Sequence, residues 1–229
     1  MRTIHFRSVA LAALASVVLT AGAAGQDRSS GLLNAVEVRQ LVDRGEPNDH
    51  VRLSAHFTAL GEQYAAEAKR HTSMAQAFAG NPTRSLGTGM SAHCKRLADL
   101  NSRSATTVRE LAVYHEKAAG GTPGTPPRGG ARFEGGAGVS EPTEQELNAL
   151  AAKARMPAEH RALEEYFLTR AKRYTAEAEV HATLAQAYRG TRIAQAAVHH
   201  DRLVALSRDA AKEANEAAAM HKQLATIAR

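Results

Sequence analysis

Apolar and aromatic side chains recur at a helical spacing along two long stretches, residues 50–80 and 160–190. In each stretch, two seam positions alternate at the a/d spacing of a helix that buries one stripe. The first stripe contains His50, Leu53, Phe57, Leu60, Tyr64, Glu67, His71, Met74 and Phe78. The second contains His160, Leu163, Phe167, Arg170, Tyr174, Glu177, His181, Leu184 and Tyr188. The pattern predicts two long helices that each face a core.

A further apolar stripe follows each of these helices. The first of them contains Met90, His93, Leu97, Leu100, Ser104, Leu111 and Ala118, with His115 at its edge. The other contains Ala196, His199, Leu203, Leu206, Ala210, Ala217 and Leu224, with His221 at its edge. Because Gly80 and Gly190 interrupt the pattern between the stripes, each half of the chain reads as two antiparallel helices.

The two halves of the chain resemble each other. Residues 50–80 align with residues 160–190 at an offset of 110, with 12 of 31 positions identical. Downstream the offset becomes 106, so His93 aligns with His199 and His115 with His221. The repeat predicts an all-α fold in which two duplicated hairpins pack as an up-down-up-down four-helix bundle. A homodimer with exchanged hairpins has the same sequence pattern and stays open as an alternative.

The expected boundaries follow from prolines, capping residues and glycines. Pro47 and Pro157 suit the first turn of a helix, where a missing N–H costs nothing. Thr143 and Glu146 have the spacing of a capping box, and Asn34 and Glu37 form a weaker version, so a short helix is predicted before each hairpin. We expect the first repeat over residues 25–119, a Gly/Pro-rich linker over 120–142 and the second repeat over 143–229.

The first 24 residues have the features of a signal peptide. Arg2 and Arg7 are followed by an uncharged apolar run over residues 8–19, and Ala21-Gly22-Ala23 fits a cleavage site. A run of this length is shorter than the roughly 20 residues that a membrane-spanning helix requires. The sequence therefore predicts export to a periplasmic or extracellular space, with no membrane span after cleavage. The single cysteine, Cys94, excludes a disulfide within the chain.

Charge and motifs narrow the function classes. The formal net charge is +6. Basic residues alternate with acidic ones along the predicted helices, which is typical of a solvated helix face. No basic stripe carries interleaved aromatic residues, so nucleic-acid binding is not expected. Because no phosphate-binding loop and no nucleophile motif occur, binding is favoured over catalysis.

The histidines are the most specific chemical signal in the sequence. Helical rise places His71 about 12 Å and His93 roughly 7–10 Å from the turn of the first hairpin, and His181 and His199 correspond to them. We expect these four histidines at one level of the bundle, with Glu67 and Glu177 one turn away. A second, weaker set at the far end comprises His50, His115, His160 and His221. Imidazole and carboxylate ligands together suit Zn, Cu or Fe, so the sequence predicts a transition-metal site that serves binding, buffering or stress protection.

Two other functions fit the same residues. In a metal-free structural or interaction protein of the cell envelope, tyrosines and glutamates hydrogen-bond the histidines. In a metal oxidase, Glu67 and Glu177 are bridging ligands; this arrangement loosely resembles the di-iron carboxylate bundles but has Glu-x-x-x-His in place of Glu-x-x-His. Cys94 and its aligned residue His200 are interpreted as residues of the helix flank, since a thiolate ligand is expected in both copies.

Overall fold

The structure, a computed structural model, describes residues 32–81, 84–120 and 142–227. The predicted signal peptide lies outside the described residues, and so does the predicted linker apart from its two end residues. Six helices account for the regular secondary structure of the described residues, which confirms the all-α class. They are α1 (Ala35–Arg44), α2 (Pro47–Ala79), α3 (Arg84–Ala118), α4 (Glu144–Lys153), α5 (Pro157–Arg189) and α6 (Ala196–Ile227). None of these helices combines the length and the hydropathy needed to cross a membrane.

The helix starts agree with the predicted capping signals. Pro47 and Pro157 are the first residues of α2 and α5. Both capping boxes are formed, with Asn34 accepting from the backbone of Glu37 and Thr143 accepting from the backbone of Glu146. The short helices α1 and α4 therefore start where local side-chain chemistry satisfies their free N–H groups.

The α4 capping box leads to a stability prediction. Thr143→Ala removes the hydroxyl that accepts from Glu146 N at 3.2 Å, so we expect the free energy of unfolding to fall by about 1 kcal/mol. Chemical denaturation followed by circular dichroism measures the change. Thr106→Ala, an exposed position within α3, is the matched control and should change stability by less than about 0.5 kcal/mol. Equal stabilities of the two variants would contradict the capping role.

The stripes predicted for α2 and α5 form the inner faces of these two helices in the bundle. Every residue of both stripes is buried in α2 and α5. The stripes predicted for α3 and α6 are less accurate, since Ala118 is exposed while Cys94 and His200 are completely buried. Most of the predicted residues are nevertheless buried, among them Leu97, Leu111, Leu203 and Leu206. The buried faces also include a row that the predicted stripes left out or placed at their edge, namely Cys94, Asn101, Val108 and His115 in α3 and His200, Ser207, Ala214 and His221 in α6.

Helices α2 and α3 pack along their length, as do α5 and α6, and α3 packs against α6. The fourth side of the bundle is more open, because no Cα atom of α2 lies within 8 Å of one of α5 among the described residues. The two short helices lie across this side. Helix α1 contacts both α2 and α5, and α4 contacts the same two helices.

The order of helix directions differs from the up-down-up-down prediction. His93 contacts Glu213 and Arg202 contacts Glu110, so α3 and α6 are antiparallel. The same holds for α2 and α5, where Tyr64 contacts His181 and Glu67 contacts Arg170. The long helices therefore run up, down, down, up in chain order. The prediction was wrong on this point because the sequence does not determine the direction of the second hairpin. A connection over residues 119–143 can reach roughly 80 Å, which exceeds the about 50 Å length of a helix and so permits either direction.

Candidate functional site

Three pairs of buried histidines face each other through their Nδ1 atoms. The Nδ1–Nδ1 distances are 3.0, 3.2 and 3.3 Å in the pairs His50–His115, His181–His200 and His160–His221. Each pair joins the two helices of one hairpin, and each of the six side chains is at most 6 % exposed. These are the closest groupings of histidine rings in the described part of the chain.

The outer pairs are held by aromatic rings. Phe57 stacks on His115 with ring centroids 5.5 Å apart, and Phe167 stacks on His221 at 5.7 Å. His115 is further fixed by the Tyr188 hydroxyl, which lies 2.9 Å from its Nε2. The weaker predicted set is thus brought together as two pairs, one at each end of the bundle.

His181 pairs with His200, a residue that the sequence interpretation assigned to the helix flank. His199, which was expected there, lies at the α3–α6 interface, where its Nδ1 is 3.2 Å from Glu110. The heptad spacing of α6 does not separate the two histidines, because His199 lies seven residues before Leu206 and His200 seven before Ser207, and both of these residues are buried. Cys94 occupies the aligned position in α3 and is 0 % exposed.

The other end of His181 is held by Tyr64 and Glu177. The Tyr64 hydroxyl donates to Glu177 Oε2 at 3.1 Å and lies 3.3 Å from His181 Nε2. Since the hydroxyl proton is used on the carboxylate, its oxygen accepts from Nε2–H of His181. A continuous hydrogen-bonded chain therefore runs from His200 through His181 and Tyr64 to Glu177.

Glu177 also accepts from Arg173 Nε at 2.9 Å. Burial nevertheless dominates, and it raises the pKa of Glu177 above its usual value despite this arginine. Burial also lowers the pKa of His181 to about 3, so its imidazole is neutral at pH 7. The same cause lowers the pKa of His115 and of His221 to about 3 and that of His200 well below its usual value.

His71 and Glu67 lie in a different environment, toward the other end of the bundle. His71 Nε2 is 3.3 Å from Glu67 Oε1 and 3.4 Å from the Tyr174 hydroxyl. His71 Nδ1 is buried with no hydrogen-bond partner among the described residues. Glu67 pairs with Arg170 at 3.3 Å and with Arg70 at 2.9 Å. Burial opposes its ionisation, but the hydrogen bond with His71 and the two arginines outweigh it and hold the pKa of Glu67 far below its usual range.

His93 belongs to the one group of three or more His, Cys, Asp or Glu side chains, in the described part of the chain, whose ligand atoms lie close enough for a single ion. The other members are Glu213 and Glu216. Arg96 donates to Glu213 at 2.7 Å and its guanidinium lies 3.0 Å from His93, which disfavours a cation at this position. We interpret the group as an ion pair between α3 and α6.

The expected meeting of His71, His93, His181 and His199 at one level does not occur. His71 stacks against Phe167 and His181 pairs with His200, while His93 and His199 contact glutamates at the α3–α6 interface. The reason is the head-to-tail packing of the hairpins, which places their turns at opposite ends. Glu67 and Glu177 are each paired with arginine, which disfavours a role as bridging ligands.

Comparisons with known proteins add no relative to this description. No protein-family model, no curated protein and no solved structure matches the chain. The function is therefore argued from the side chains alone.

Proposed function

We propose that this protein binds transition-metal ions, Zn, Cu or Fe, through its paired histidines. The observation that carries the proposal is the Nδ1–Nδ1 separation of 3.0–3.3 Å in three buried pairs. Two nitrogen ligands at 2.0–2.1 Å from a tetrahedral ion lie about 3.3–3.4 Å apart. Little movement is needed for each pair to hold an ion.

His181 and His200 are the best candidates among the pairs. Histidines that bind metal usually donate their other ring N–H to a carboxylate or hydroxyl, which fixes the tautomer and increases the basicity of the ligand. Tyr64 and Glu177 have this arrangement around His181 Nε2. Glu177 thereby acts through Tyr64 and is not itself a ligand in this proposal, which revises the role expected from the sequence.

The protonation state of the histidines supports the same function. Metal binds the neutral imidazole, and the low pKa of His115, His181 and His221 keeps these rings neutral at pH 7 and well below it. His71 and Cys94 occupy the aligned sequence positions in the first hairpin. The role proposed is binding, buffering or stress protection, because Glu67 and Glu177 are engaged by arginines and not free to bridge two ions as an oxidase requires.

We further propose that the two halves of the bundle arose by duplication of one hairpin. Support comes from reciprocal contacts, since Tyr64 contacts His181 while the aligned Tyr174 contacts His71. Helices α2 and α5 also have equal lengths and both begin with proline. Export remains a proposal that rests on residues 1–24 of the sequence.

A metal-free structural bundle is the competing function, and one observation favours it. The same Nδ1–Nδ1 distances are those of an N–H···N hydrogen bond between two neutral imidazoles. In that case the two histidines of each pair satisfy each other's hydrogen-bonding groups, and the protein functions by packing its surface against a partner. Metal titration separates the two functions.

The test is metal binding by protein stripped with a chelator, using Zn²⁺ and Cu²⁺ separately in titration calorimetry, and Fe²⁺ under anaerobic conditions. Elemental analysis of the protein purified from its native source gives the metal that it carries. We expect saturable binding that the double change His181→Gln with His200→Gln weakens by at least about tenfold. Tyr64→Phe removes only the group that orients His181 and should weaken binding roughly 10–100-fold.

His56→Gln is the matched control, because His56 is also buried but uses its Nδ1 to accept from Leu33 N at 3.1 Å. It should leave metal affinity within about twofold of wild type. Absence of saturable binding by all three ions would overturn the proposal in favour of the metal-free bundle. Binding that is unchanged in the His181/His200 double variant would show that this pair is not the principal site.

A further inference from the structure

A cavity of about 500 Å³ lies between α1, α2 and α5, on the open side of the bundle. It exists because α2 and α5 stay apart and α1 lies across them. Its size falls within the range of roughly 300–1,000 Å³ that is usual for small-molecule sites. The cavity adjoins the His181–His200 pair, because Tyr64, Glu177 and His181 are among its lining residues.

The lining of the cavity is amphipathic. Its walls are apolar and include Val38, Phe57, Leu60 and Leu184. The polar groups are concentrated on α5, where Lys172 and Arg173 provide two cations against the single carboxylate of Glu177. Since Arg173 already pairs with Glu177, the exposed Lys172 ammonium gives the cavity an excess positive charge.

The aligned positions of the other half show that this space is not a general consequence of the fold. Leu60 aligns with Arg170, and Val180 aligns with Arg70. Arg170 is 1 % exposed and, like Arg70, forms an ion pair with Glu67. The half around Glu67 thus has two arginines at the positions where the cavity half has the aliphatic residues Leu60 and Val180.

We propose that the cavity binds a small amphipathic acid, with its apolar part against Leu33, Leu60 and Val180 and its carboxylate near Lys172. The apolar wall of the cavity favours binding of the hydrocarbon part of the ligand, because that part is buried there. The positive charge of Lys172 favours an anionic ligand over a neutral or cationic analogue. This ligand class goes beyond metal binding and does not depend on it.

The test is titration calorimetry of metal-stripped protein with dodecanoate, and with dodecylammonium as the probe of opposite charge. We expect saturable binding of dodecanoate with one molecule per chain and at least about tenfold weaker binding of dodecylammonium. Because no metal is present, the result is independent of whether the histidine pairs bind ions.

Two variants locate the site. Val180→Trp places a large side chain at a position 38 % exposed, so that it fills the cavity without disturbing the core, and should weaken dodecanoate binding about tenfold. Val198→Trp, at an exposed position on α6, is its control and should have no effect. Lys172→Glu should weaken binding about fivefold, while Lys212→Glu on α6 should not.

Failure of dodecanoate to bind would overturn the proposal. Equal affinity for dodecylammonium would overturn the choice of an anion, and equal affinity of the Val180→Trp and Val198→Trp proteins would overturn the location. Lys172→Glu is a surface change that keeps the experiment decisive if Val180→Trp fails to fold, as judged by circular dichroism.

Discussion

Acidification of the metal-free protein from pH 7 to pH 5 is expected to lower its free energy of unfolding by about 4–8 kcal/mol. Burial lowers the pKa of His115, His181 and His221 to about 3 and that of His56 to about 4, against 6.5 for an exposed histidine. At pH 5 these histidines are therefore protonated in the unfolded chain but neutral in the folded protein. Each of them lowers the free energy of unfolding at pH 5 by about 2 kcal/mol.

The sign of this effect follows from the direction of the pKa shifts. Because the folded pKa values lie below the unfolded ones, stability is unaffected above about pH 7 and decreases as the pH falls from 6.5 toward 3. Glu177 acts in the opposite direction, since its raised pKa stabilises the folded state as the pH falls. The lowered pKa of Glu67 adds a further loss only below about pH 4.5, where the unfolded carboxyl takes up its proton. One opposing group does not offset four histidines.

Guanidinium denaturation at pH 7, 6 and 5 measures the loss of stability. His56→Gln should reduce the difference between pH 7 and pH 5 by about 2 kcal/mol, because it removes one of the buried bases without touching a histidine pair. A decrease of less than about 1 kcal/mol in the wild-type protein would mean that the histidines are accessible to protons in the folded state.

Glu67→Gln is expected to lower the free energy of unfolding by about 3–5 kcal/mol. The change removes a buried negative charge that contacts Arg170, Arg70 and His71. Arg170 is 1 % exposed, and a cation buried to this extent requires a neighbouring anion. Glu67 therefore stabilises the fold chiefly by compensating the Arg170 guanidinium.

The Glu67 prediction is checked by urea denaturation at pH 7. Glu62→Gln, an exposed change on the same helix, is the control and should alter stability by less than about 0.5 kcal/mol. Adding Arg170→Met to Glu67→Gln should recover a large part of the loss, because the double variant no longer buries that guanidinium. Equal stability of the single and double variants would show that Glu67 contributes through another contact.

The sequence predicted helices α2 and α5 well, because large residues mark their buried faces at every turn. Phe57, Tyr64, His71 and Phe78 repeat at seven-residue intervals, and all four are buried as expected. The buried face of α6 is made mostly of alanine and serine, and that of α3 also contains several alanine, serine and threonine residues, which occur on exposed faces too. The apolar signal was therefore too weak to distinguish His199 from His200.

The arrangement of the histidines could not be predicted from the sequence, for a different reason. Spacing along a helix gives distances within that helix but not the relative direction of two hairpins. Head-to-tail packing decides that His71 meets Tyr174 from the other hairpin, and that His181 meets Tyr64. Once this direction is known, the heptad positions of Tyr64 and Tyr174 account for both contacts.

The two short helices make each half of the bundle incomplete without the other. Helix α1 precedes the first hairpin yet contacts α5, and α4 precedes the second hairpin yet contacts α2. Val38 and Leu41 in α1 and Leu147 and Ala151 in α4 are buried in these positions. A chain that ends after α3 exposes apolar surface that belongs under α4. Each half alone therefore leaves part of its apolar face uncovered, and we expect neither hairpin to be as stable alone as it is within the whole chain.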